Sequence, residues 1–325
     1  MRVLAGDIGG TSARLAIVEI DDAGAWVGHP RRFASKDFSG LVPIVRAFLA
    51  EVGDTPDDAC FAIACPVTDG ACTGPNLGWH VDARELSEEL DIPRTTVIND
   101  LHAVGYGLQR LSPADLVPLQ RGEPDEDGVV AIIGAGTGLG EAFVIRRGDS
   151  RSVHSSEGGH ASFSARDEHE WGLVRWLAKT LDHVSCERVV SGAGLVSIYR
   201  YLAEVEGVPE RPHVQCRMGR SDPAAVISEE ALAGTDALSG RALEMFVSAW
   251  GARAGDLALT VMATGGVYIA GGIAPRVVPK LREGAFTTAF RGKGRLSDVV
   301  ARMPINVIVN PHVGLIGAAV VAMHG

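Results

Sequence analysis

Two apolar runs flanking a glycine-rich turn occur twice in this chain, more than a hundred residues apart. Val3–Gly6 leads into Asp7-Ile8-Gly9-Gly10-Thr11 and then into the aliphatic run Leu15–Ile20. Val129–Ile133 leads into Gly134-Ala135-Gly136-Thr137-Gly138-Leu139-Gly140 and then into Ala142–Ile145. Each unit reads as a β-hairpin. The two share a pattern rather than a close sequence repeat. A length of 325 residues, at about 150 residues per domain, gives room for two domains.

Composition narrows the class. Hydrophobic residues make up 46% and charged residues 22%, enough apolar material for a large core. Glycine is in excess, 40 of 325 or about 12% against a usual ~7%, and it is clustered rather than periodic. The charge sum, 30 minus 40, is −10, so the chain has no general attraction for nucleic acid or anionic membrane. An anionic ligand must be held locally, by backbone dipoles or a metal. Five cysteines without a CxxC pair argue against a disulfide framework and for a reducing compartment. The start lacks a signal-peptide h-region. The uncharged stretches from Leu257 to Pro275 and from Met303 to Gly325 are broken by Gly, Pro, Asn and His, and read as buried strands and helices rather than spans. A soluble, cytoplasmic protein is expected.

Helical spacing covers Leu41–Val52, and Asp82-Ala83-Arg84-Glu85 resembles a capping box opening a helix to Leu90. Cys60–Cys65 and Thr95–Ile98 read as strands, with a helix through Leu108 after Asn99-Asp100. The polar, Pro-rich stretch Ser112–Asp127 is the expected domain crossing. Helices are expected around Glu168–Leu181, Leu195–Glu204, Glu229–Ala233 and Asp236–Met262. The strands Val267–Ala270 and Asn306–Val309 and a final helix Gly314–Met323 follow. The fold class is α/β.

Several motifs can carry chemistry. In Asp7–Thr11 and Gly134–Gly140, glycines let successive backbone N–H groups approach a phosphate, and Thr11 adds a hydroxyl. Asp7 is placed to hold a phosphate-bound Mg²⁺ through water. Each turn also reads as a plain hairpin; two in one chain favour a clamp on a polyphosphate. Gly134–Gly140 does not fit G-x-G-x-x-G, because Leu139 and Glu141 stand where glycine is required, and no P-loop is present. Gly271-Gly272-x-x-Pro offers a flat surface for a planar base, or simply a strand-to-helix turn with Pro275 at its start. Asp100, at a strand end, suits a general base and equally an N-cap. Glu157 and His160, three apart around glycines, and Glu187 suit hydrogen bonding to a small neutral ligand. His183, Cys186 and His160 form no tight metal cluster.

Together these stretches resemble the bacterial glucokinase family, within the actin/hexokinase/Hsp70 ATPase superfamily. The resemblance is carried, in order, by residues 7–18, 62–67, 98–107, 134–142, 157–160, 183–200, 265–276 and 310–319, nearly the whole chain. It implies a two-lobed ribonuclease-H-like α/β fold with an active-site cleft between lobes, a small lobe of 1–110 plus 301–325 and a large lobe of 111–300. It implies transfer of a phosphoryl group from ATP, with Mg²⁺, to the 6-hydroxyl of glucose. Position by position, Asp100 matches the catalytic base, and Asn99, Glu157, His160 and Glu187 match sugar-hydroxyl ligands. Gly9, Gly10 and Thr11, with Gly136, Thr137 and Gly138, match the phosphate loops, Gly138 also bordering the sugar. Gly271 and Gly272 match the adenosine side. Relatives are often homodimers. Ser12 stands where Asn is common, and Leu101-His102 where Phe-Thr is common; both changes can tune sugar preference. The Cys-rich zinc motif of the ROK sugar kinases is missing, which places the chain in the zinc-free group, with His160 on sugar rather than metal. Mannose, glucosamine or fructose would use the same ligands. A non-catalytic sugar sensor would have no need of Asp100 and both phosphate loops.

Overall fold

The first glycine-rich turn closes a hairpin: β1 (Arg2–Ile8) runs antiparallel to β2 (Ser12–Asp21), with Ile8 opposite Ala13. The computed structural model describes residues 2–21, 24–53, 55–73, 78–148 and 150–323. Strand β3 (Gly24–Ala34) extends the hairpin. Strand β4 (Asp58–Ile63) lies parallel to β1, the short pair β5 (Ala71–Thr73) and β6 (His80–Asp82) follows, and β7 (Arg94–Asn99) lies parallel to β4. The sheet order is β3-β2-β1-β4-β7.

The second half repeats this plan. After β8 (Leu116–Gln120), β9 (Val130–Ala135) and β10 (Leu139–Arg147) form the second hairpin, and β11 (Ser150–Ser156) extends it. Strands β12 (Gly266–Ala270) and β13 (Ile305–Ile308) add in parallel, for the order β11-β10-β9-β12-β13-β8. Each sheet is thus an antiparallel trio followed by two parallel strands. The pattern seen in the sequence is a duplicated topology; among the described strands of the two large sheets, β8 has no counterpart.

The chain divides into two compact units. One comprises Met1–Leu116, Val153–Ser155 and Asn310–Gly325; the other comprises Val117–Ser152 and Ser156–Val309. In the first unit, alternation along β1 sends Leu4 and Ile8 to one face and Val3 and Ala5 to the other. The first face is covered by the helix Leu41–Val52. Its buried residues, Leu41, Ile44, Val45 and Phe48, recur at i, i+3, i+4 and i+7, and Gly53 ends it at φ 67°. The other face is covered by the helix Val313–Ala322, through Leu315, Ala318 and Ala319. Because both faces are covered, β4 is buried along its whole length. In the second unit β9 is likewise fully buried. The 25-residue helix Ala237–Val261 supplies Phe246 and Trp250, whose rings meet each other and Phe286 edge-on.

Two elements depart from expectation. The stretch Ser112–Asp127 contains β8, an edge strand that tolerates Pro118 because an edge N–H need not be donated. Cys65 and Cys72 form a disulfide, where the cysteine count had argued for none. The turn after β4 returns the chain to itself within seven residues, which spacing rules for CxxC pairs do not register. Among the described residues, no helix is long and apolar enough to cross a membrane.

Candidate active site

In the first unit the parallel register sets the geometry. Ile8 pairs with Ile63, and Ile63 with Asn99. The carboxyl ends of β1 and β7 therefore lie two strand spacings, about 10 Å, apart at one edge. The first turn is closed by the Gly9 N–H donating to the Ser12 carbonyl at 3.0 Å. Buried Ser35 clamps it from outside: its hydroxyl donates to the Gly9 carbonyl at 3.0 Å and its N–H to the Thr11 carbonyl at 3.2 Å. Ser12 thus enters the turn through its carbonyl. Asp7 sits beneath the turn, 3.7 Å from the Arg14 guanidinium. A Cβ added at Gly314, at the start of the Val313–Ala322 helix, would stand 3.4 Å from the Asp7 carboxyl carbon. Burial pushes the Asp7 carboxyl above its ordinary range, and Arg14 opposes that shift.

Asn99 ends β7, and Asp100 opens the helix Asp100–Gly107. The cap is Asn99: its Oδ1 accepts the N–H groups of Leu101 at 3.0 Å and His102 at 3.2 Å. Its Nδ2 donates to the Cys65 carbonyl at 3.2 Å, tying the cap to the turn after β4. Asp100 is the first helical residue, half-buried, with Oδ1 accepting the Leu101 N–H at 2.8 Å. One turn on, His102 stacks on Tyr106 at 5.3 Å. Burial, with His154 nearby, holds the His102 imidazole below its ordinary pKa.

In the second unit four of the expected motifs converge. The Gly136 N–H donates to the Gly138 carbonyl at 2.9 Å, closing the second turn. The Leu139 N–H donates to Glu187 Oε2 at 2.9 Å. A Cβ added at Gly138 would come within 2.4 Å of that same oxygen, so glycine is what admits the carboxylate. Gly271, at φ +87°, follows β12 against the end of β9; a Cβ there would fall 2.2 Å from the Ala135 carbonyl. Gly272 is open, with nothing within 4 Å of an added Cβ. The turn Glu157–His160 leaves both polar side chains exposed, 3.8 Å apart. His183 donates from Nε2 to the His160 carbonyl at 2.8 Å, and the Cys186 N–H donates to the Ala161 carbonyl at 2.8 Å. Those bonds tie the Glu157–His160 turn to the turn carrying Glu187.

Sequence reasoning missed the residues that hold these turns. Ser35 is one; Glu141 and Arg253 are two more. Arg253 grips Glu141 with two parallel hydrogen bonds of 2.6 and 2.7 Å and reaches the Gly158 carbonyl at 3.2 Å. Glu141 lies within the glycine-rich motif and was readable as part of it. Arg253, inside a long helix, carries no local signal.

The glucokinase family model matches residues 4–325. The chain belongs to the glucokinase family. A glucokinase from Nostoc sp. is 43% identical over 336 residues, 98% of each chain. The crystal structure of a glucokinase from an Antarctic psychrotroph shares 34% identity at a TM-score of 0.83, covering 100% of this chain and 99% of that one. A glucokinase from Balamuthia mandrillaris, crystallised with glucose, has the same fold at a TM-score of 0.82 and 20% identity, over 99% and 93% of the two chains. The duplicated α/β topology is therefore the two-lobed fold of glucokinases, as the ordered motifs implied.

Proposed function

We propose that this glucokinase-family chain transfers the γ-phosphoryl group of ATP to the 6-hydroxyl of glucose, with Asp100 as general base. The observation that carries the reading is the division of labour between Asn99 and Asp100. Asn99 caps the helix, so Asp100 is not needed for that purpose. Its carboxylate stands at the same sheet edge as the first glycine-rich turn.

In the proposed reaction the Asp100 carboxylate accepts the proton of the glucose 6-hydroxyl as that oxygen bonds to the γ-phosphorus. The bond from the γ-phosphorus to the bridging oxygen breaks, and ADP leaves with its electron pair. Asn99 uses both Oδ1 lone pairs on the helix and one Nδ2 hydrogen on Cys65, which leaves one hydrogen for a sugar hydroxyl. Glu157, His160 and Glu187 take other hydroxyls; a site built on such bonds discriminates strongly against sugars that lack them. Gly9, Gly10 and Thr11, with Gly136, Thr137 and Gly138, receive the phosphates, and Gly271 and Gly272 the adenosine. The Asp7 carboxylate is a hard oxygen donor of the kind Mg²⁺ takes through water, and its Arg14 neighbour stands beyond hydrogen-bond reach at 3.7 Å. Mg²⁺, when bound, supplies charge neutralisation on the phosphates. A cytoplasmic homodimer belongs to the same reading and rests on family resemblance; sedimentation velocity of the purified chain checks the dimer.

The test is a coupled assay with Mg-ATP and glucose, reading glucose 6-phosphate with its dehydrogenase, beside a panel of mannose, glucosamine and fructose. Turnover fastest with glucose is expected. Glucose binding without turnover on any sugar would instead identify a sensor.

A further inference from the structure

The Glu157–His160 turn rests on a largely buried ion pair. Glu141 lies on β10, two residues after Leu139, so the two side chains share one face of the strand. The Glu141 side chain is 1% exposed and that of Arg253 18%. Their fork-to-fork geometry fixes the plane of the guanidinium. That plane aims Nη2 at the Gly158 carbonyl, 3.2 Å away. The turn is seated equally tightly from the backbone side. A Cβ at Gly158 would come within 2.1 Å of Glu141 Oε2, and one at Gly159 within 2.0 Å of the Leu139 carbonyl. Leu139 is also the residue whose N–H holds Glu187. One strand end and one ion pair therefore fix the spacing between Glu187 and the Glu157–His160 pair.

A buried ion pair is a poor source of stability, because desolvating two charges offsets most of their attraction. Its value here lies in direction: a guanidinium held in one plane presents a donor at one place. We infer that the Glu141–Arg253 pair is a positioning element for the sugar ligands Glu157 and His160, acting through the Gly158 carbonyl. The inference rests on the proposed glucose site and adds two residues that act through the backbone of that turn.

The experiment compares wild type with Arg253→Lys and with the double variant Glu141→Leu/Arg253→Met, which replaces the pair by apolar groups of similar volume. Lysine keeps a cation opposite Glu141 but cannot serve the carboxylate and the Gly158 carbonyl from one plane. Both variants are expected to raise the glucose KM on the order of tenfold or more, while the ATP KM stays within about twofold. Thermal unfolding of each variant reports whether it is folded. A folded variant of either kind with a wild-type glucose KM overturns the positioning role, as does a parallel rise in both KM values. Should the double variant fail to fold, Arg253→Lys alone decides. A wild type inactive toward glucose overturns the functional reading and this role with it; an active wild type with unshifted variants overturns the positioning role alone.

Discussion

Gly317 packs against the carbonyl oxygen of Ala103 so closely that a Cβ at that position would stand 1.7 Å from it. The contact is returned one turn on, where a Cβ at Gly107 would lie 2.4 Å from the Val313 carbonyl. Two helices, Asp100–Gly107 and Val313–Ala322, thus touch backbone to backbone. The first of them begins at Asp100. Gly317→Ala must push the helices apart, and the expected cost is about 1–3 kcal/mol or more. Differential scanning calorimetry should show a lowered Tm, and kcat should fall as Asp100 shifts. An unchanged Tm would mean that the helices are not seated this closely.

On the proposed mechanism, Asp100 and Asn99 should separate function from stability. Asp100→Ala should lower kcat by about 10²- to 10⁴-fold, the usual contribution of a general base. Its Tm should fall less than that of Asn99→Ala, because Asn99 takes two helix N–H groups and Asp100 Oδ1 takes that of Leu101. Asn99→Ala removes the cap and should cost about 1 kcal/mol of stability. Steady-state kinetics beside thermal unfolding of both variants checks the split. Full activity in Asp100→Ala would remove it from the chemistry.

Asp7 should show the opposite sign, a residue that function keeps against stability. Its carboxyl is pushed above the ordinary 3.8 by burial, with Arg14 opposing. The folded state therefore binds the proton more tightly than the unfolded chain. The resulting destabilisation is absent below 3.8, grows as pH rises through the folded-state value, and is constant above it. Without divalent metal, Asp7→Asn should be more stable than wild type at neutral pH, and the difference should shrink on acidification. Urea unfolding at several pH values measures this. Turnover should be lost in the same variant. A variant less stable at neutral pH contradicts the buried-carboxylate account.

Glycines of the second turn should differ by position. Gly138→Ala drives a methyl group into Glu187, so the glucose KM should rise on the order of tenfold. A Cβ at Gly136 meets nothing within 4 Å, and Gly136→Ala should leave the glucose KM alone. Equal effects on glucose KM would show that Glu187 is not what Gly138 accommodates.

Much of this was legible because it is local. The two hairpins, the helix Leu41–Val52 and the Asp82 cap follow from periodicity and turn chemistry, and the structure has them. Asp82 accepts from the N–H groups of Arg84 and Glu85, as a short-range signal should read. What stayed hidden depends on distant partners. β8 is short, polar at its end and interrupted by Pro118; only its place at a sheet edge makes it a strand. The Glu141–Arg253 pair spans 112 residues. An arginine in a long helix looks like any solvated cation until the fold buries it. Ser35 clamps a turn 26 residues before it in the chain.

The helix Val313–Ala322 follows all the described strands, yet it covers a face of the sheet formed by the first of them. During translation, Val3, Ala5, Ala16, Val18, Cys60 and Ala62 have on that side only the helix Asp100–Gly107, through Ala103 and Tyr106, until residues beyond Asn310 leave the ribosome. Meanwhile the contiguous run Ser156–Val309, the bulk of the other unit, has already emerged. Synthesis therefore runs against the usual order in which the amino-terminal unit folds first. The nascent chain carries a partly open apolar sheet face until that helix emerges, and a stop before Val313 removes the helix that closes it.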